Sequence, residues 1–338
     1  MDTLKIVQHN VAHVKPYKFN LLNAYKSLDP DIILINSHGL QDTDTIKMLG
    51  YASYKINSNN ERHDGSAILI KTSINHKIKD DYISDFLAVT VQTTSGPINI
   101  ATTYLPPRRP YLPYPDFHNF AMNNAPSYIL GDLNAKYPVF GDNHSNNVGI
   151  GLKTMIDNNL LQHLGPNFPT YFSTTTCSTP DLILGNKNIY HNHMIEQGPA
   201  TASDHIPIIF TITTKKITIP TTPRYCFKNV GWELFQSTIE YTINEAVPPD
   251  QATPAQIDTS TESWFNIITN AMQAYIPKTN TITTNKAISN PTTRNIQYYI
   301  NNLMIQASLS GWTQSKLRTY KLLKTILINE YRKMQQEN

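Results

Sequence analysis

The stretch SDHIPIIFTIT, residues 203–213, decides how this chain is read, because an acid and an imidazole stand directly before a run of β-branched and aromatic residues. Such a run, bounded by polar punctuation, is a strand signal. An acid and a histidine at the mouth of a strand suit a group that must take a proton from water, since His titrates near neutrality and a carboxylate can orient it. A second segment, GDLNA at residues 131–135, follows the apolar run Tyr128-Ile129-Leu130. If the strand continues through it, Asp132 and Asn134 point the same way, so that an acid and an amide converge on one phosphate or metal-bound water. Each piece alone has a plainer explanation: a structural Asp-His pair, and an Asp/Asn turn that ends a strand.

Outward from these segments, short apolar runs recur between Asn, Pro, Gly and Thr from the start to about residue 214. The strand candidates are LKIVQHN from Leu4, DIILIN from Asp31, SAILIK from Ser66, LAVTVQT from Leu87, INIATTYL from Ile98, SYILGD from Ser127, DLILG from Asp181 and IPIIFTIT from Ile206. Several mix continuous apolar stretches with alternation, as strands do inside a two-sheet sandwich covered by helices. Helical periodicity marks Tyr17 to Leu28, Phe117 to Asn123 and Gly149 to Asn159 as the outer layers.

After Thr214 a Lys, Thr and Pro segment, KKITIPTTPR, leads into helical periodicity without strand-like alternation. The boundary is therefore set there, with residues 1–214 as one domain and 215–338 as a helical region. Helices are expected from Trp232 to Ala246, from a capping-box pattern at Thr259 to Glu262 up to Pro277, from Thr293 to Leu309 and from Thr313 to Met334. The last is expected to turn Leu317, Tyr320, Ile326, Leu327 and Tyr331 inward. Lys316, Arg318, Lys321, Lys324, Arg332 and Lys333 would then lie largely outside, as a solvated face in the plainer reading or a nucleic-acid contact surface in the other.

Bulk properties narrow the function classes. The chain has 338 residues, 40% of them hydrophobic, with a formal net charge of +3, so it is globular and its charge permits a nucleic-acid partner without arguing for one. Two cysteines, Cys177 and Cys226, make neither a disulfide framework nor a zinc site of the usual spacing, which fits a reducing intracellular compartment. The start, MDTLKIVQHN, lacks the basic and apolar stretches of a signal peptide, and no apolar run approaches the ~20 residues that cross a bilayer. The expectation is a soluble, unsecreted protein.

Further polar residues fall at strand ends: Asn10 in QHN, Tyr104 in ATTYLPP, Thr170 and Ser173 in PTYFSTTT, and Asp181 in PDLILG. The ordered series HN, TTYLPP, GDLNA, PTY, PDLIL and SDHIP, over residues 3 to 214, resembles the endonuclease/exonuclease/phosphatase superfamily. Within it the series looks most like the endonuclease domain of non-LTR retrotransposon polyproteins of the Jockey/R1 type, to which DGSAILIK from Asp64 and TYLPP add detail.

The resemblance implies an α+β fold: a four-layer α/β-sandwich of two packed mixed sheets with outer helices, here followed by a C-terminal helical extension. It implies that Asp132 orients and helps deprotonate the attacking water, that Asn134 holds the scissile phosphate, and that His205, oriented by Asp181, contacts the same phosphate. Asp204 and Asn10 would sit beside a divalent metal, Mg2+ or Mn2+, and Tyr104 would hydrogen-bond a phosphate oxygen. Thr170, Ser173 and Ser203 join as substrate-side candidates. So do Arg108 and Arg109, which follow Pro107 and would grip a DNA backbone from the rim.

Two positions depart from the pattern. Pro107 stands where some members of the family carry a phosphate-contacting Asn, a loss that a backbone donor or Arg108 and Arg109 could make good. The second departure is more serious. Where the family's second strand ends in a metal-binding glutamate, the run DIILINSHGL at residues 31–40 has Ser37, followed by His38. A hydroxyl is a poor substitute for a carboxylate on a hard dication. Three readings stay open: a catalytically degenerate domain, recruitment of His38, Asp42 or Glu61, or a metal held mainly through Asp204, Asn10 and substrate phosphate.

The function implied is metal-dependent nicking of target DNA, so that a reverse transcriptase can use the exposed 3′ hydroxyl. The alternatives are a phosphatase of small phosphoesters and a non-catalytic binding module. DNA and the reverse transcriptase domain of a parent polyprotein are the expected partners, with no membrane. The chain ends before any polymerase sequence, as a fragment of such a polyprotein would. A nuclear site of action follows from the resemblance.

Overall fold

Alternation along the first strand decides where the core lies. In β1 (Thr3–Asn10), Leu4 and Ile6 are buried on one side and Val7 on the other, because successive side chains of a strand face opposite ways. The same division runs through β2 (Ile32–Asn36), with Ile32 and Leu34 on one face and Ile33 and Ile35 on the other. In β8 (Ser127–Asp132), Tyr128 and Leu130 oppose Ile129. Strands apolar on both faces need cover on both, and a pair of packed sheets with helices outside supplies it.

The structure is a computed structural model that describes residues 2–57, 65–79, 86–219, 224–228, 230–243, 246–248, 252–279 and 287–337. One six-stranded sheet has the order β13 (His193–Gln197), β14 (Ile208–Thr213), β1, β2, β4 (Ser66–Lys71), β3 (Tyr51–Ile56). The other has the order β5 (His76–Lys79), β6 (Phe86–Thr93), β7 (Gly96–Thr103), β8, β12 (Asp181–Asn186), β9 (Leu161–Gly165). Both are mixed, since β1 runs parallel to β2 and β7 parallel to β8 while their other pairings are antiparallel. A ribbon of β10 (Tyr171–Phe172) and β11 (Cys177–Ser178) stands apart from both sheets.

Between the sheets, residues such as Ile6, Leu34, Ile68, Val89, Ile100, Leu130, Ile183 and Phe210 form the central core. Outside the first sheet, α1 (Lys18–Leu28) buries Leu21 and Tyr25 against Val7, Ile33 and Leu69. Outside the second, α2 (Tyr114–Ala121) and α3 (Asn147–Asp157) bury Phe117, Phe120, Leu152 and Met155 against Ala101, Ile129 and Leu182. This is the four-layer sandwich that the sequence implied.

The chain divides into two compact units, residues 1–219 together with 284–338, and residues 220–283, so the units are not cut at the sequence boundary of Thr214. Two helices of the C-terminal region, α6 (Pro291–Ser310) and α7 (Gln314–Glu337), therefore belong to the same unit as the sandwich. Their buried Ile296, Ile300, Leu317, Tyr320 and Leu327 form one cluster with Phe172, Ala200 and Ile206. Within α7, Leu317, Tyr320 and Leu327 are buried as expected, but Ile326 is 40% exposed. Lys324, expected in solvent, lies four residues after Tyr320 and three before Leu327, so helical geometry carries it onto the buried stripe.

The smaller unit pairs β15 (Arg224–Tyr225) with β16 (Lys278–Thr279) and contains α4 (Trp232–Ile243) and α5 (Pro254–Tyr275). Here α5 begins earlier than the Thr259 pattern implied. Thr253 caps it, its N–H donating to Gln256 Oε1 at 2.9 Å, and Pro254 occupies the first turn, where a missing N–H costs nothing. The Thr259 hydroxyl instead donates back to the Ala255 carbonyl within the helix. No helix among the described residues is long and apolar enough to cross a membrane.

Candidate active site

The faces that meet between the sheets are apolar along most of each strand and turn polar at one end. Gln8 and Asn10 on β1, Asn36 on β2, Ser66 on β4, Thr102 on β7, Asp132 on β8 and Asp181 on β12 occupy that end, and all are buried. Register brings them together, with Asn10 opposite Asn36 in one sheet and Asp132 opposite Asp181 in the other. β7 and β8 approach closely because residue 131 is glycine; a Cβ there would lie 2.0 Å from the Thr103 carbonyl oxygen.

Buried polar groups must be paired, and these bridge the two sheets. Gln8 Nε2 donates to Asn36 Oδ1 at 3.0 Å and to Asp181 Oδ1 at 2.9 Å. Asn36 Nδ2 donates to Ser66 Oγ at 3.1 Å and to Thr102 Oγ1 at 3.0 Å, while its Oδ1 also accepts from the Asp132 N–H at 3.2 Å. Gln8 and Asn36 are not among the residues that the sequence motifs mark. The signal was available, since each is an inward-register polar residue at the end of a strand whose other inward residues are apolar.

The reactive groups gather on this frame. His205 Nδ1 lies 2.7 Å from Asp181 Oδ2, and because a carboxylate only accepts, Nδ1 is the donor. Thr170 Oγ1 donates to the same oxygen at 2.6 Å. Asn10 Nδ2 donates to Asp132 Oδ2 at 2.6 Å, and His205 Nε2 is 3.9 Å from that oxygen, too far for a hydrogen bond. Burial pulls the His205 imidazole down, but Asp181, then Asp132 and Asp204, more than offset it and hold it at about 9. Burial, and then the charge of Asp181, push Asp132 up to about 7. Burial also opposes the charge of Asp181, but His205, Thr170 and Gln8 outweigh it and keep that carboxyl below its ordinary value.

A cavity of about 340 Å³ opens over this cluster, lined among others by Asn10, Ser37, Tyr104, Asn134, Asp204 and His205. Three of its lining residues turn the backbone through the left-handed region: Ala12 at φ 52°, Ser37 at φ 55° and Asn134 at φ 44°. Asn134 reaches the cavity by this route and not by strand alternation, because β8 ends at Asp132. Its N–H donates to Asp132 Oδ1 at 3.2 Å and its Nδ2 to the Leu105 carbonyl at 3.0 Å. Asn tolerates that conformation better than most residues do.

Other sequence candidates lie elsewhere. Thr170 and Ser203 act beneath the cavity, Ser203 Oγ donating to the Asn10 carbonyl at 2.6 Å and accepting from the His205 N–H at 3.0 Å. Ser173 caps a turn, where its Oγ accepts from the Thr176 N–H at 2.8 Å. Arg108 and Arg109 line an adjoining groove of about 770 Å³ that shares Tyr104 with the cavity. His38 is fully buried with Nε2 on the Ile56 carbonyl at 3.1 Å and Nδ1 accepting from the Leu40 N–H at 3.0 Å. Asp42 bonds Asn57 in an exposed loop, and neither His38 nor Asp42 lines the cavity. Glu61 lies outside the described residues.

The donor set fits a hard divalent cation. Asp204 Oδ1 is buried with no hydrogen-bond partner among the described residues, and an unpaired buried carboxylate oxygen calls for a positive partner. Ligand atoms of Asp132, Asp181 and His205 also lie within 4.8 Å of one another. Yet Asp181 and His205 are committed to each other. The oxygens of Asp204 and Asn10, both on the cavity lining, therefore suit a magnesium-like ion better than the Asp181–His205 pair does.

Residues 98–209 match a family model described as Endonuclease-reverse transcriptase. That span takes in Tyr104, Asp132, Asn134, Asp181, Asp204 and His205, and leaves out Asn10 and Ser37. The chain is similar to a probable RNA-directed DNA polymerase from transposon X-element of Drosophila melanogaster, 28% identical over 225 residues, covering 63% of this chain and 24% of that protein. It is also similar to an RNA-directed DNA polymerase from mobile element jockey of Drosophila funebris, 25% identical and covering 71% of this chain and 27% of that protein. The chain thus spans about a quarter of the length of these relatives. In fold it resembles the endonuclease domain of TRAS1, a telomere-specific non-LTR retrotransposon, at a TM-score of 0.50 and 17% identity, covering 62% of this chain and 98% of that domain.

Proposed function

We propose that this chain, whose sandwich is an endonuclease/exonuclease/phosphatase-superfamily domain of the retrotransposon endonuclease type, hydrolyses phosphodiester bonds in DNA with the help of a divalent metal. One observation carries the reading. On the floor of one cavity the His205 ring, held through Nδ1 by Asp181 at 2.7 Å, sets Nε2 3.9 Å from the Asp132 carboxyl, and burial and neighbouring charge raise both groups above their ordinary values. Two titratable groups with such different tasks in one cleft are what acid–base chemistry on a phosphate needs.

In this reading Asp132 accepts the proton of the attacking water as the water oxygen bonds to phosphorus, because a base near the working pH is both free to accept and strong enough to do so. The bond from phosphorus to the 3′ oxygen breaks, and that oxygen leaves as a hydroxyl with a proton from solvent. His205 donates from Nε2 to a phosphate oxygen and stabilises the charge that grows there, with Asp181 holding the imidazolium in orientation. Asn134 and Tyr104 hold the other oxygens. Asn10 orients Asp132 through its amide, and Asp204 with Asn10 would hold Mg2+ or Mn2+, which supplies Lewis-acid charge at the phosphate when bound. Ser37 weakens that hold relative to a glutamate, so metal affinity is reduced. A reverse transcriptase domain of the same polyprotein would use the nicked end, and a nuclear site of action follows from that role.

Nicking of supercoiled plasmid in Mg2+ or Mn2+ tests the proposal. Wild type should nick and His205→Ala should not. Wild type that turns over a small phosphoester but leaves plasmid intact would assign a phosphatase, and activity appearing only in Ser37→Glu would assign a degenerate site.

A further inference from the structure

The loop that carries Asp204 and His205 is held from two sides. On the sandwich side, Ser203 Oγ ties it to the Asn10 carbonyl. On the other side stands α7. Phe172 packs against Trp312 and Tyr320 with ring centroids 4.7 and 4.8 Å away, and Ala200 and Ile206, which flank the loop, join the same apolar cluster. The segment that leads into α6 is also pinned to α1 by Asn23, whose Nδ2 donates to the Ile288 carbonyl at 2.6 Å.

From this wall Lys324 Nζ donates to the Ser203 carbonyl, the residue before Asp204. Lys324 and Asp204 line one cavity of about 400 Å³, which shares Ala12 and Asp204 with the cavity over the reactive cluster. Burial, opposed by the charge of Asp204, draws the lysine down to about 8. Lys324 is half-buried, and a charge partly withdrawn from water gains little stability by itself, so the reason for its location is to be sought in what it touches.

We infer that Lys324 is a positioning residue for the reaction: from the C-terminal helix it clamps the Ser203 carbonyl and sets its charge beside Asp204, fixing the loop that presents Asp204 and His205. The inference rests on the proposed nuclease reading for its kinetic part only. A helix outside the sandwich thereby becomes part of the working site, in contrast to a linker that merely follows it.

The test is Lys324→Met in the full chain, which keeps the aliphatic length and removes charge and donor. Plasmid-nicking kcat, normalised to folded protein, should fall about tenfold, as for residues that orient reacting groups through a neighbour, with KM for DNA changed less than about twofold. The melting temperature should hold or rise. Independently of turnover, the His205 Nδ1–H resonance, set by its hydrogen bond to Asp181, should move or broaden in histidine-labelled protein. Wild-type kcat together with an unmoved resonance overturns the inference, as does a loss that only tracks unfolded protein or a change in KM alone. If wild type does not nick DNA at all, the proposed function fails, and the resonance alone decides the positioning role.

Discussion

Replacing Asp181 with Asn keeps the size of the side chain and removes the charge that holds the His205 proton. Asp181 raises His205 through its charge and hydrogen bond, and the imidazole stands at about 9 instead of 6.5. That displacement corresponds to about 3 kcal/mol of preference for the charged form. Because the folded value lies above the unfolded one, this contribution to stability is whole below pH 6.5 and is lost as pH rises through 9. In Asp181→Asn the burial remains and its main compensation goes, so His205 falls below its ordinary value. At about pH 7.5 no more than about one molecule in ten would then carry the proton, and nicking should drop at least about tenfold.

A second cost lies in the hydrogen bonds. Asp181 accepts from Gln8, Thr170 and His205, and an amide with a single acceptor oxygen must turn its NH2 toward one of those donors, costing about 1–3 kcal/mol. The assay is the long-range 15N spectrum of the metal-free protein across pH, with plasmid nicking alongside. A wild-type His205 neutral at about pH 7.5, or one still charged in Asp181→Asn, would refute the reasoning.

Three further outcomes are expected. Burial, with the charge of His205 in support, lowers His9 from 6.5 to about 3, so it folds neutral. Its stabilising share is present above pH 6.5 and is lost toward pH 3 at about 1.4 kcal/mol per pH unit; His9→Gln should flatten that slope in urea titrations with chelator, and parallel wild-type and variant curves would rule it out. Replacing Arg108 and Arg109 together by Ala should lower the salt slope of DNA binding by about 1 to 2 if both meet phosphates, whereas an unchanged slope rejects the contact. Ser37→Glu should reduce the Mg2+ concentration for half-maximal binding by about tenfold or more, measured by calorimetry; no change would mean that the cation is not held on that side of the cavity.

The strands that could be read from sequence are those inside the sheets: β1, β2, β4, β6, β7, β8, β12 and β14. Within the two six-stranded sheets the missed ones, β3, β5, β9 and β13, are the edges; the two-residue strands β10, β11, β15 and β16 are too short to show a pattern. An interior strand is covered on both faces and reads as an apolar run. An edge strand such as HKIK at residues 76–79 or HMIEQ at 193–197 carries charge and polarity that keep it from pairing with other chains, and so loses the pattern by which strands are found. Asn134 was found for a reason that does not hold, since a left-handed turn and not alternation aims it. Gln8 and Asn36 carry no mark in the sequence because a polar residue near a strand end is common, and only the opposing sheet shows that theirs is buried.

Local sequence by itself determined the layers: the spacing of Leu4, Ile6 and Val7 and its counterparts demanded two sheets covered by helices, and ordered short motifs marked Asp132, Asp181 and His205 as reactive. Tertiary structure alone decided the chemistry of those groups. A histidine held at about 9 and an aspartate at about 7 arise from burial and chiefly from the charge of Asp181, 24 residues from His205 and paired with Asp132 only across the sheet. It also decided that Lys324 leaves the solvent face expected of it and meets Ser203, a pairing 121 residues apart. Hydrophobic periodicity is a property of neighbours along the chain, whereas desolvation and Coulomb interaction depend on distance in space, and no one-dimensional pattern encodes that distance.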